Sequence, residues 1–467
     1  MTANTVIPMP SPIKILLVNP VQYTANRHAP KYQSGSMPPT NVLTVAGILG
    51  AFPEVQVRVV DEFLDDVPFD EPFDLVGIST TFTSTFPRAI DIGREFRKRG
   101  VPVIMGGTHV TCNPEDSAPH ADALVVGEAE HNLPLLIQDF LSTRKLRPVY
   151  RQEKHVDFTQ IKPTVPAYDL VDLDRYMKIG LFRKTNYFAL ETGRGCPMNC
   201  GFCAVRITHG NRLRFKPISQ VIDQIRLVKK QYNGRLFTIT DDNFLFDEDR
   251  ATELLKAMVP EKINFFCETS THIVERPHLL PLLKQAGCIS LFIGFESINQ
   301  KNMSLLHKNH NQVDRYREIF GLLKKQEIPV VASFMLGLDE DDESVFDQLG
   351  DFLDSVCLRR AMIGIVTPMP GTAFHRQIRQ EGRILNDDLS LYDGCHVVFR
   401  PRQMTPERLH AGWTATQKRH YSWNSICKRL SQTQARDFIY TLIMNAVIRN
   451  HVYHGRMPYH SGIKQIR

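Results

Sequence analysis

Short apolar runs alternate with amphipathic stretches over the first third of the chain. The runs have the length of buried strands, and the stretches between them repeat apolar residues at helical spacing. The predicted strands are 14–18, 55–60, 75–79, 101–105 and 123–126. The predicted helices are 40–51, 86–99 and 131–142. Strands that alternate with helices in this way predict a parallel, doubly wound, Rossmann-like α/β domain over residues 1–150.

The same alternation resumes after a connector at 151–184, which prolines interrupt. The predicted strands are 186–191, 235–240, 263–269, 289–295, 329–336 and 361–367. The predicted helices are 217–232, 248–258, 275–286, 312–326 and 342–356. Six strand–helix units are fewer than the eight of a complete TIM barrel. Residues 185–372 therefore predict a partial (β/α)6 barrel.

The last region, residues 373–467, has helical patterns and a charge balance of its own. Residues 401–467 hold 11 Lys and Arg against 2 Asp and Glu, so the net charge of +6 is an excess of +9 here set against −3 elsewhere. Such a local excess does not indicate a nucleic-acid partner. We interpret the apolar run 438–448 as a lid helix with a solvated basic face. The alternative is contact with a membrane surface or a lipid-like substrate.

The overall composition is that of an ordinary globular protein. A chain of 467 residues allows two or three domains. No apolar run is long enough to span a bilayer, and the N-terminus has no signal-peptide pattern. Nine cysteines, three of them clustered, suit a metal site in a reducing compartment better than a disulfide framework. We therefore predict a cytoplasmic protein.

The clustered thiols are Cys196, Cys200 and Cys203, which directly follow a predicted strand. Barrel enzymes keep their chemistry on loops in this position. Three thiolates can hold three corners of a 4Fe–4S cluster and leave one iron open, and Phe202 is in position to shield such a cluster from water. A structural zinc site requires four ligands, and no fourth follows at finger-like spacing; His209 is the nearest. The spacing favours iron–sulfur over zinc and over a chance group of buried thiols.

Polar residues follow the other barrel strands. Each one singly is explained equally well by an Asx turn, a helix cap or a solvated loop. Together, at the carboxyl ends of successive strands beside the thiols, they predict one ligand site. These candidate residues are Asp241, Asp242, Asn243, Glu268, Ser270, Glu296 and Gly337.

The carboxyl ends of the first sheet's strands supply a second candidate site, because ligands of open α/β sheets bind there. Glycines at these ends let a backbone approach a ligand closely. The candidate residues are Asn19, Ser79, Thr80, Gly106, Gly107, Thr108, His109, Gly127 and Glu128. No phosphate-binding GxGxxG or GxxxxGK[ST] motif is present, so the tight turns of a sheet without a nucleotide are the alternative.

The cysteine motif resembles the signature of the radical S-adenosylmethionine (SAM) superfamily. Gly294-Phe295-Glu296-Ser297 is similar to the family's GFES stretch, and residues 367–372 are similar to its TPxPGT. The segment 333–341 resembles the family's GxIxGxxE, but Ser333 replaces the first glycine and Asp341 replaces the glutamate. The resemblance implies that the open iron chelates SAM, that Asp241 to Asn243 face its amino group, and that Glu268 contacts its ribose.

The stretch 103–130 looks like the cobalamin-binding domain that is fused to many radical SAM enzymes. The DxHxxG motif is absent, so the resemblance implies binding without a cobalt-ligating histidine from that motif. A domain that no longer binds cobalamin is the alternative. Residues 391–407 resemble the C-terminal extension of the cobalamin-type enzymes, which include hopanoid methylases.

The resemblance implies a C-methyltransferase that uses one SAM for radical formation and a second as methyl source. Its substrate would be a small molecule, such as a lipid or another natural product, and its electron donor a flavodoxin or ferredoxin. An oxidative cyclase or rearrangement enzyme of the same architecture is the first alternative. A non-catalytic cobalamin or iron–sulfur sensor, which contacts a membrane surface, is the second.

Overall fold

A computed structural model describes residues 12–24, 26–32, 35, 37–161, 163–176, 187–454 and 465–466. Asn186 and residues 177–184 of the predicted connector lie outside these ranges. The described chain divides into two compact units. The first contains the residues up to Val156, those of 161–176 and the strand at 465–466. The second contains Asp157–Gln160 and the described residues from 187 to 454.

The first unit is built on a parallel six-stranded sheet. The strands of this unit before residue 160 are β1 Ile13–Asn19, β2 Lys31–Tyr32, β3 Val55–Asp61, β4 Leu75–Ser79, β5 Val103–Gly106, β6 Ala123–Val126 and β7 Val149–Arg151. The order across the sheet is β3-β1-β4-β5-β6-β7. From β1 the chain passes first to β3 on one side and then to β4 on the other side. The crevice between β1 and β4 is therefore the switch point, where open α/β sheets bind ligands.

Helices cover this sheet because its strands are apolar on both faces. They are α1 Thr40–Leu49, α2 Phe86–Lys98, α3 Thr108–Cys112, α4 Pro114–Ser117 and α5 Ala129–Thr143. The apolar residues of α1 and α5 pack in one core with those of β1, β5 and β6. The predicted strands and long helices of this region are therefore present, and β7 is a strand that the sequence pattern did not predict.

The second unit is built on six parallel strands in the order β15-β14-β13-β12-β11-β8. The strands of this unit are β8 Tyr187–Leu190, β9 Gly193–Arg194, β10 Arg214–Phe215, β11 Leu236–Ile239, β12 Asn264–Thr269, β13 Cys288–Glu296, β14 Val330–Leu336 and β15 Arg360–Ile365. The short strands β9 and β10 form a separate antiparallel pair. A further short strand, β16 Gln465–Ile466, pairs with β2 in the first unit.

The helices of this region are α6 Val205–Thr208, α7 Ile218–Tyr232, α8 Glu248–Met258, α9 Leu279–Ala286, α10 Gln300–Leu305, α11 Tyr316–Lys325 and α12 Val345–Ser355. The helix α8 has the predicted bounds, whereas α9, α11 and α12 begin three or four residues later than the sequence predicted. The late starts of α9 and α11 have a local cause. A 3-10 segment at Thr271–Glu275 followed by Pro277 precedes α9, and a 3-10 turn at Val313–Arg315 precedes α11. The apolar residues of these turns have the same spacing as those of the helix that follows, so the pattern predicts an earlier helix start.

Four helices follow the barrel: α13 Ala373–Gln380, α14 Pro406–His420, α15 Trp423–Leu430 and α16 Ala435–Tyr453. They anchor to the last barrel strand, because Trp413 donates from Nε1 to the carbonyl of Ile363 and Tyr421 donates to the carbonyl of Ala361. The predicted fold class is thus confirmed: a Rossmann-like α/β domain, a partial barrel and a helical C-terminal region.

The positive charge of the C-terminal region is partly neutralised within the second unit. Its arginines contact acidic residues of the barrel through the pairs Arg402–Asp339, Arg408–Glu343, Arg419–Asp351 and Arg419–Asp354. Each exposed pair contributes about 0–1 kcal/mol. These side chains therefore help to seat α14 on the barrel.

Helix α16 is apolar on two sides. Ile448 and Val452 are buried against Tyr421, whereas Ile439 and Ile443 are 54% and 50% exposed. Among the described residues, no helix has the length and apolar content that a membrane span requires.

Candidate functional site

The cysteine loop is closed at its base by β9 and β10, whose residues pair as Arg214↔Arg194 and Phe215↔Gly193. Gly195 starts the loop with φ +95°, and a Cβ there would lie 2.2 Å from the carbonyl oxygen of Arg212. Only glycine fits this turn. The Cys196 amide then donates to the carbonyl of Gly210 at 3.3 Å. The local sequence therefore shapes a closed loop around the three thiols.

Two further contacts hold this loop on the carboxyl end of the barrel. The Asp242 carboxylate accepts from the Gly195 amide at 2.8 Å and lies 3.0 Å from Nδ1 of His209. Gly201 donates to the carbonyl of Leu306 at 2.8 Å and accepts from the amide of Phe374 at 2.8 Å. Asp242 was predicted to face SAM, and the structure gives its carboxylate a positioning role at the start of the loop.

The three thiols are free and partly exposed. Burial raises the pKa of Cys203 to about 12 and also raises the pKa values of Cys196 and Cys200. A coordinated metal deprotonates such thiols outright. Within the described residues, no three Cys, His, Asp or Glu side chains converge on a single ion. A 4Fe–4S cluster does not require that, since each cysteine binds a different iron. The donor set fits the cluster.

Lys308 is a member of this site that the sequence did not single out. Its ammonium pairs with Glu296 at 2.5 Å, donates to the carbonyl of Gly294 at 3.1 Å and lies 5.7 Å from the centre of the Phe202 ring. Both charged side chains are about nine-tenths buried. A buried carboxylate requires such a partner. The glutamate of the GFES stretch therefore indicated that a cation lies nearby. Glu296 is committed to this pair, and its contact with SAM stays a prediction.

Asp241 has hydrogen-bond partners within the protein, and its contact with SAM stays a prediction. Its carboxylate accepts from the Thr192 amide at 2.7 Å and from the Thr192 hydroxyl at 2.5 Å. These bonds tie the end of β8 to the end of β11. Burial raises the pKa of Asp241 from 3.8 to about 7. Asp241 is therefore a structural link beneath the site.

Asp241 should make stability depend on pH. In the folded state Asp241 keeps its proton up to about pH 7, whereas in the unfolded state Asp241 loses the proton near pH 3.8. The contribution of Asp241 to the free energy of unfolding therefore falls as the pH rises through this window. Against Asp241→Asn, the wild type should lose about 2–3 kcal/mol between pH 5 and pH 8. Anaerobic urea unfolding of both proteins at the two pH values measures this. A constant difference would contradict the raised pKa.

The remaining predicted residues of the barrel site lie after β11 and β12. Asn243 donates to the Ser270 hydroxyl at 3.3 Å, and a hydrogen bond from Asn243 also lowers the pKa of Cys196 against the larger effect of burial. The Ser270 hydroxyl lies 3.1 Å from Nδ1 of His272, whose ring stacks on that of His310. Hydrogen bonds therefore link the predicted residues Asn243 and Ser270 to Cys196.

Glu268 is solvent-accessible, and its backbone carbonyl accepts from the Phe244 amide at 3.0 Å. Desolvation by the surrounding protein raises the pKa of its carboxyl group, and the negative charges of Asp242 and Glu296 raise it further. Those two carboxylates have His209 and Lys308 as partners. Among the described residues the Glu268 carboxylate has no hydrogen bond or ion pair, so it is available to a ligand.

Gly337 occupies a turn that closes over the end of β14. Its amide and that of Leu338 both donate to Asp341 at 3.0 Å, and Asn302 donates to the same carboxylate at 2.7 Å. Burial raises the pKa of Asp341 to about 6. The aspartate that replaces the family's glutamate therefore caps its own turn, and a contact of this segment with adenine stays a prediction.

Gly337→Ala should destabilise the second unit by about 1–3 kcal/mol, because its φ of +92° disfavours a side chain and the new Cβ would lie 2.5 Å from the Leu409 side chain of α14. Gly382→Ala is the matched control, since Gly382 has φ +66° and nothing within 4 Å of a Cβ. Thermal unfolding and limited proteolysis of the helical region compare the two variants. Equal effects would show that Leu409 moves aside freely.

The first unit contains a cavity of about 160 Å³ at the switch point of its sheet. It lies between the ends of β1, β4, β5 and β6 on one side and α1 and α5 on the other. Most of its wall is apolar, and Gly106, Gly107 and Gly127 form part of it. The lining residues are Leu17, Val18, Asn41, Val42, Val45, Gly77, Ile78, Ser79, Thr81, Ile104, Met105, Gly106, Gly107, Val125, Gly127, Ala129 and Leu133.

One side of the cavity is polar. Asn41 donates to the hydroxyls of Ser79 and Thr81 at 2.6 Å each. Gly107 brings the β5 turn close to β4, with φ +117° and only 2.9 Å between a built Cβ and the Thr80 carbonyl carbon. An apolar cavity of about 150 Å³ admits a flat aromatic ring. The wall therefore fits the aromatic base of the nucleotide tail that cobalamin carries.

Two predicted residues of this site face the protein interior. Thr80 is fully buried and donates to the carbonyl of Gly106. His109 is buried against Phe86, with its Nδ1 3.2 Å from the Thr83 hydroxyl, and burial lowers its pKa to about 4. In this structure both side chains belong to the core beneath the strand ends, and their approach to the cofactor stays a prediction.

The Glu128 carboxylate accepts from the Val156 amide at 2.7 Å and from Gln152 at 3.1 Å. Asn19 donates to Asp61 at 3.0 Å, and Thr108 begins α3. None of these three residues lines the cavity, and their contact with cobalamin stays a prediction. Asn41 was missed because a polar residue on an amphipathic helix carries no distinctive pattern.

The sequence also did not single out His396, in the segment that lies along the edge of β15. The amide of Ile365 donates to the carbonyl of Gly394 at 2.7 Å, which holds this segment at the carboxyl end of the strand. Nδ1 of His396 lies 3.0 Å from the buried carboxylate of Asp393, and this hydrogen bond raises the pKa of His396. The Asp–His spacing of three residues was the available signal.

Comparison with known proteins agrees with these two sites. The Radical SAM superfamily model matches residues 190–353, and the B12 binding domain model matches residues 35–137. The chain is 30% identical to bacteriochlorophyllide d C-8(2)-methyltransferase of Chlorobaculum tepidum, over 81% of this chain and 84% of that protein. It is 27% identical to hopanoid C-2 methylase of Rhodopseudomonas palustris, over 75% of this chain and 66% of that protein.

Among solved structures, the fold is similar to that of the radical SAM methyltransferase TsrM from Kitasatospora setae, whose structure contains cobalamin and a 4Fe–4S cluster. The TM-score is 0.63 at 16% identity, with coverage of 91% of this chain and 90% of that chain. The predicted family and its cofactors, a 4Fe–4S cluster, SAM and cobalamin, are thereby confirmed. The chain belongs to the cobalamin-binding radical SAM enzymes.

Proposed function

We propose that this enzyme is a C-methyltransferase that acts on a carbon atom of an apolar small molecule. The observation that supports this most directly is the presence, in one chain, of a three-cysteine loop at the carboxyl end of a barrel and an apolar cavity at the switch point of a Rossmann-like sheet. Relatives named as methyltransferases of a bacteriochlorophyllide and of hopanoids support the same reaction type.

When bound, the cluster supplies the electron that cleaves SAM to the 5′-deoxyadenosyl radical, and cobalamin supplies the methyl carrier. The chain itself orients reactants and excludes water. Asp242 and Gly195 hold the cysteine loop in place. Glu268 offers an acceptor for hydroxyl or ammonium groups of SAM, and Phe202 with Lys308 closes the loop from the side of β13.

The barrel lumen supports an apolar substrate. Along the strands β12 to β15, fully buried residues that pack against helices alternate with less buried residues that line the lumen. The register places Phe292 beside Glu268 and Met335 beside Gly364 on this lumen face. Its other members include Thr238, Phe266 and Met362, together with the fully buried Ala189 that pairs with Thr238. An apolar wall with one available carboxylate suits an isoprenoid or macrocycle better than a sugar or a peptide.

The test is anaerobic reconstitution with iron, sulfide and hydroxocobalamin, followed by turnover with methyl-labelled SAM. The substrates offered are polycyclic isoprenoid lipids and magnesium-containing chlorins, which the relatives' names suggest. A methyltransferase should release one 5′-deoxyadenosine and one S-adenosylhomocysteine for each methylated product. A dehydrogenated or cyclised product without label would instead identify the cyclase alternative, and the absence of SAM cleavage would favour the sensor.

The cytoplasm is the proposed location, because an iron–sulfur cluster held by cysteines requires a reducing compartment. A low-potential flavodoxin or ferredoxin is the proposed electron source. Peripheral membrane contact through α16 remains the prediction made from its apolar run, and binding to anionic vesicles measures it. Loss of binding in Ile439→Ser/Ile443→Ser would support this contact, while equal binding by both proteins would contradict it.

A further inference from the structure

The surface around the cysteine loop exposes aliphatic and basic side chains together. Ile207 is 37% exposed and lies four residues after Cys203, and Leu305 is 54% exposed beside Leu306, whose carbonyl binds the Gly201 amide. Arg206 and Arg212 are exposed on the same loop. We call Arg206, Ile207, Arg212 and Leu305 the cluster face.

This face has no negative charge of its own. Residues 192–222 contain no Asp or Glu, and neither do residues 297–313. Arg194 and Lys216 share the carboxylate of Glu191, which leaves one net positive charge among the three residues. In the part of the chain that the structure describes, Arg206 and Arg212 have no carboxylate partner. Unpaired cations beside exposed aliphatic side chains are typical of a surface that binds an acidic protein.

The cysteine loop itself reaches the surface within this face. Pro197 and Asn199 are exposed, and the three thiols are partly exposed. A protein that delivers electrons must approach the cluster closely, because electron transfer slows steeply with distance. Transient redox partners bury less than about 1,200 Å² and depend on charge for orientation and speed. A small patch of this composition at the loop meets both requirements.

We propose that the cluster face is the docking site of a small acidic electron carrier with a low-potential flavin or iron–sulfur centre. In each encounter one electron passes from the reduced carrier to the cluster; the carrier is oxidised by one electron, the cluster is reduced by one, and no atom is transferred. The proposal rests on the proposed function in one respect, since it assumes that the three cysteines hold a redox-active cluster.

The test uses the full-length, reconstituted enzyme and a flavodoxin as probe. Arg206→Glu/Arg212→Glu should raise the Kd for flavodoxin at least about tenfold at low salt and flatten its salt dependence. The same variant should lose flavodoxin-driven formation of 5′-deoxyadenosine while retaining dithionite-driven formation. Lys230→Glu is the control, because it makes the charge change of one of the two substitutions at the exposed C-terminal end of α7, at the amino end of the strands.

The outcomes separate this proposal from the proposed function. An unchanged Kd in the double variant, or an equal rise in Lys230→Glu, would overturn the docking site. If dithionite fails to drive SAM cleavage in the wild type, the proposed function fails, and the Kd still decides whether the face binds the carrier. Ile207→Ser supplies a second variant without charge change. It should weaken binding severalfold with no change in salt dependence, and unchanged binding would count against the proposal.

Discussion

Cys200→Ala is expected to abolish SAM cleavage while the protein keeps its cobalamin. The variant has two cysteine ligands in place of three, and a 4Fe–4S cluster with one iron reserved for SAM requires all three. Cobalamin binding should persist because its cavity lies in the other unit. Formation of 5′-deoxyadenosine should fall below detection, iron and sulfide content should fall, and bound corrinoid should match that of the wild type.

Cys427→Ala is the matched control for this experiment. Cys427 is exposed on α15, away from the loop sequence, and its removal should leave iron, sulfide and SAM cleavage unchanged. Undiminished 5′-deoxyadenosine formation in Cys200→Ala would refute the assignment of the cluster ligands. A parallel loss of corrinoid would show that the two cofactor sites are not independent.

Ala129→Trp is expected to remove cobalamin and leave SAM cleavage in place. Ala129 begins α5 and has the smallest side chain among the helix residues that line the cavity of about 160 Å³. An indole at this position would occupy the space that the nucleotide base requires. The corrinoid bound per protein should fall at least about tenfold, which corresponds to 1.4 kcal/mol. Corrin absorbance after desalting measures this, and 5′-deoxyadenosine formation shows that the barrel is intact.

Ala129→Ser separates cavity filling from a general effect of substitution at this position. It adds one hydroxyl to the cavity wall without filling the cavity and should retain corrinoid near the wild-type level. If the tryptophan variant also retains full corrinoid, then the cofactor does not use this cavity. The assignment of Ser79, Gly106, Gly107 and Gly127 to its binding would then lose its structural support.

The sequence was sufficient to predict the two sheets, because the relevant signals are local. An apolar run such as Leu75–Ser79 indicates a strand that is buried on both faces, and the CxxxCxxC spacing indicates that three thiols belong to one loop. The helix starts before α9 and α11 were not predictable in the same way. A 3-10 turn and an α-helix place apolar residues at nearly the same spacing, so the pattern alone does not locate the boundary.

The identities of the ligand-facing residues were harder to predict, for a different reason. A polar residue past a strand end either meets a ligand or satisfies buried backbone groups, and the sequence looks alike in both cases. Asp241, Thr80 and Glu128 belong to the second kind, while Ser79 and Glu268 face open space. Lys308 was missed because the turn after β13 brings it close to its partner Glu296, and no periodic pattern in the sequence connects the two residues.

The hydrogen bonds that shape the cysteine loop come from the barrel and not from the thiols. The Asp242 carboxylate, the Leu306 carbonyl and the Phe374 amide hold Gly195, which precedes the motif, and Gly201, which lies within it. The shape of the loop is therefore set before iron arrives. A molecule whose cluster has been destroyed by oxygen keeps the framework that receives a new one, so repair of this enzyme requires iron, sulfide and reductant but no refolding.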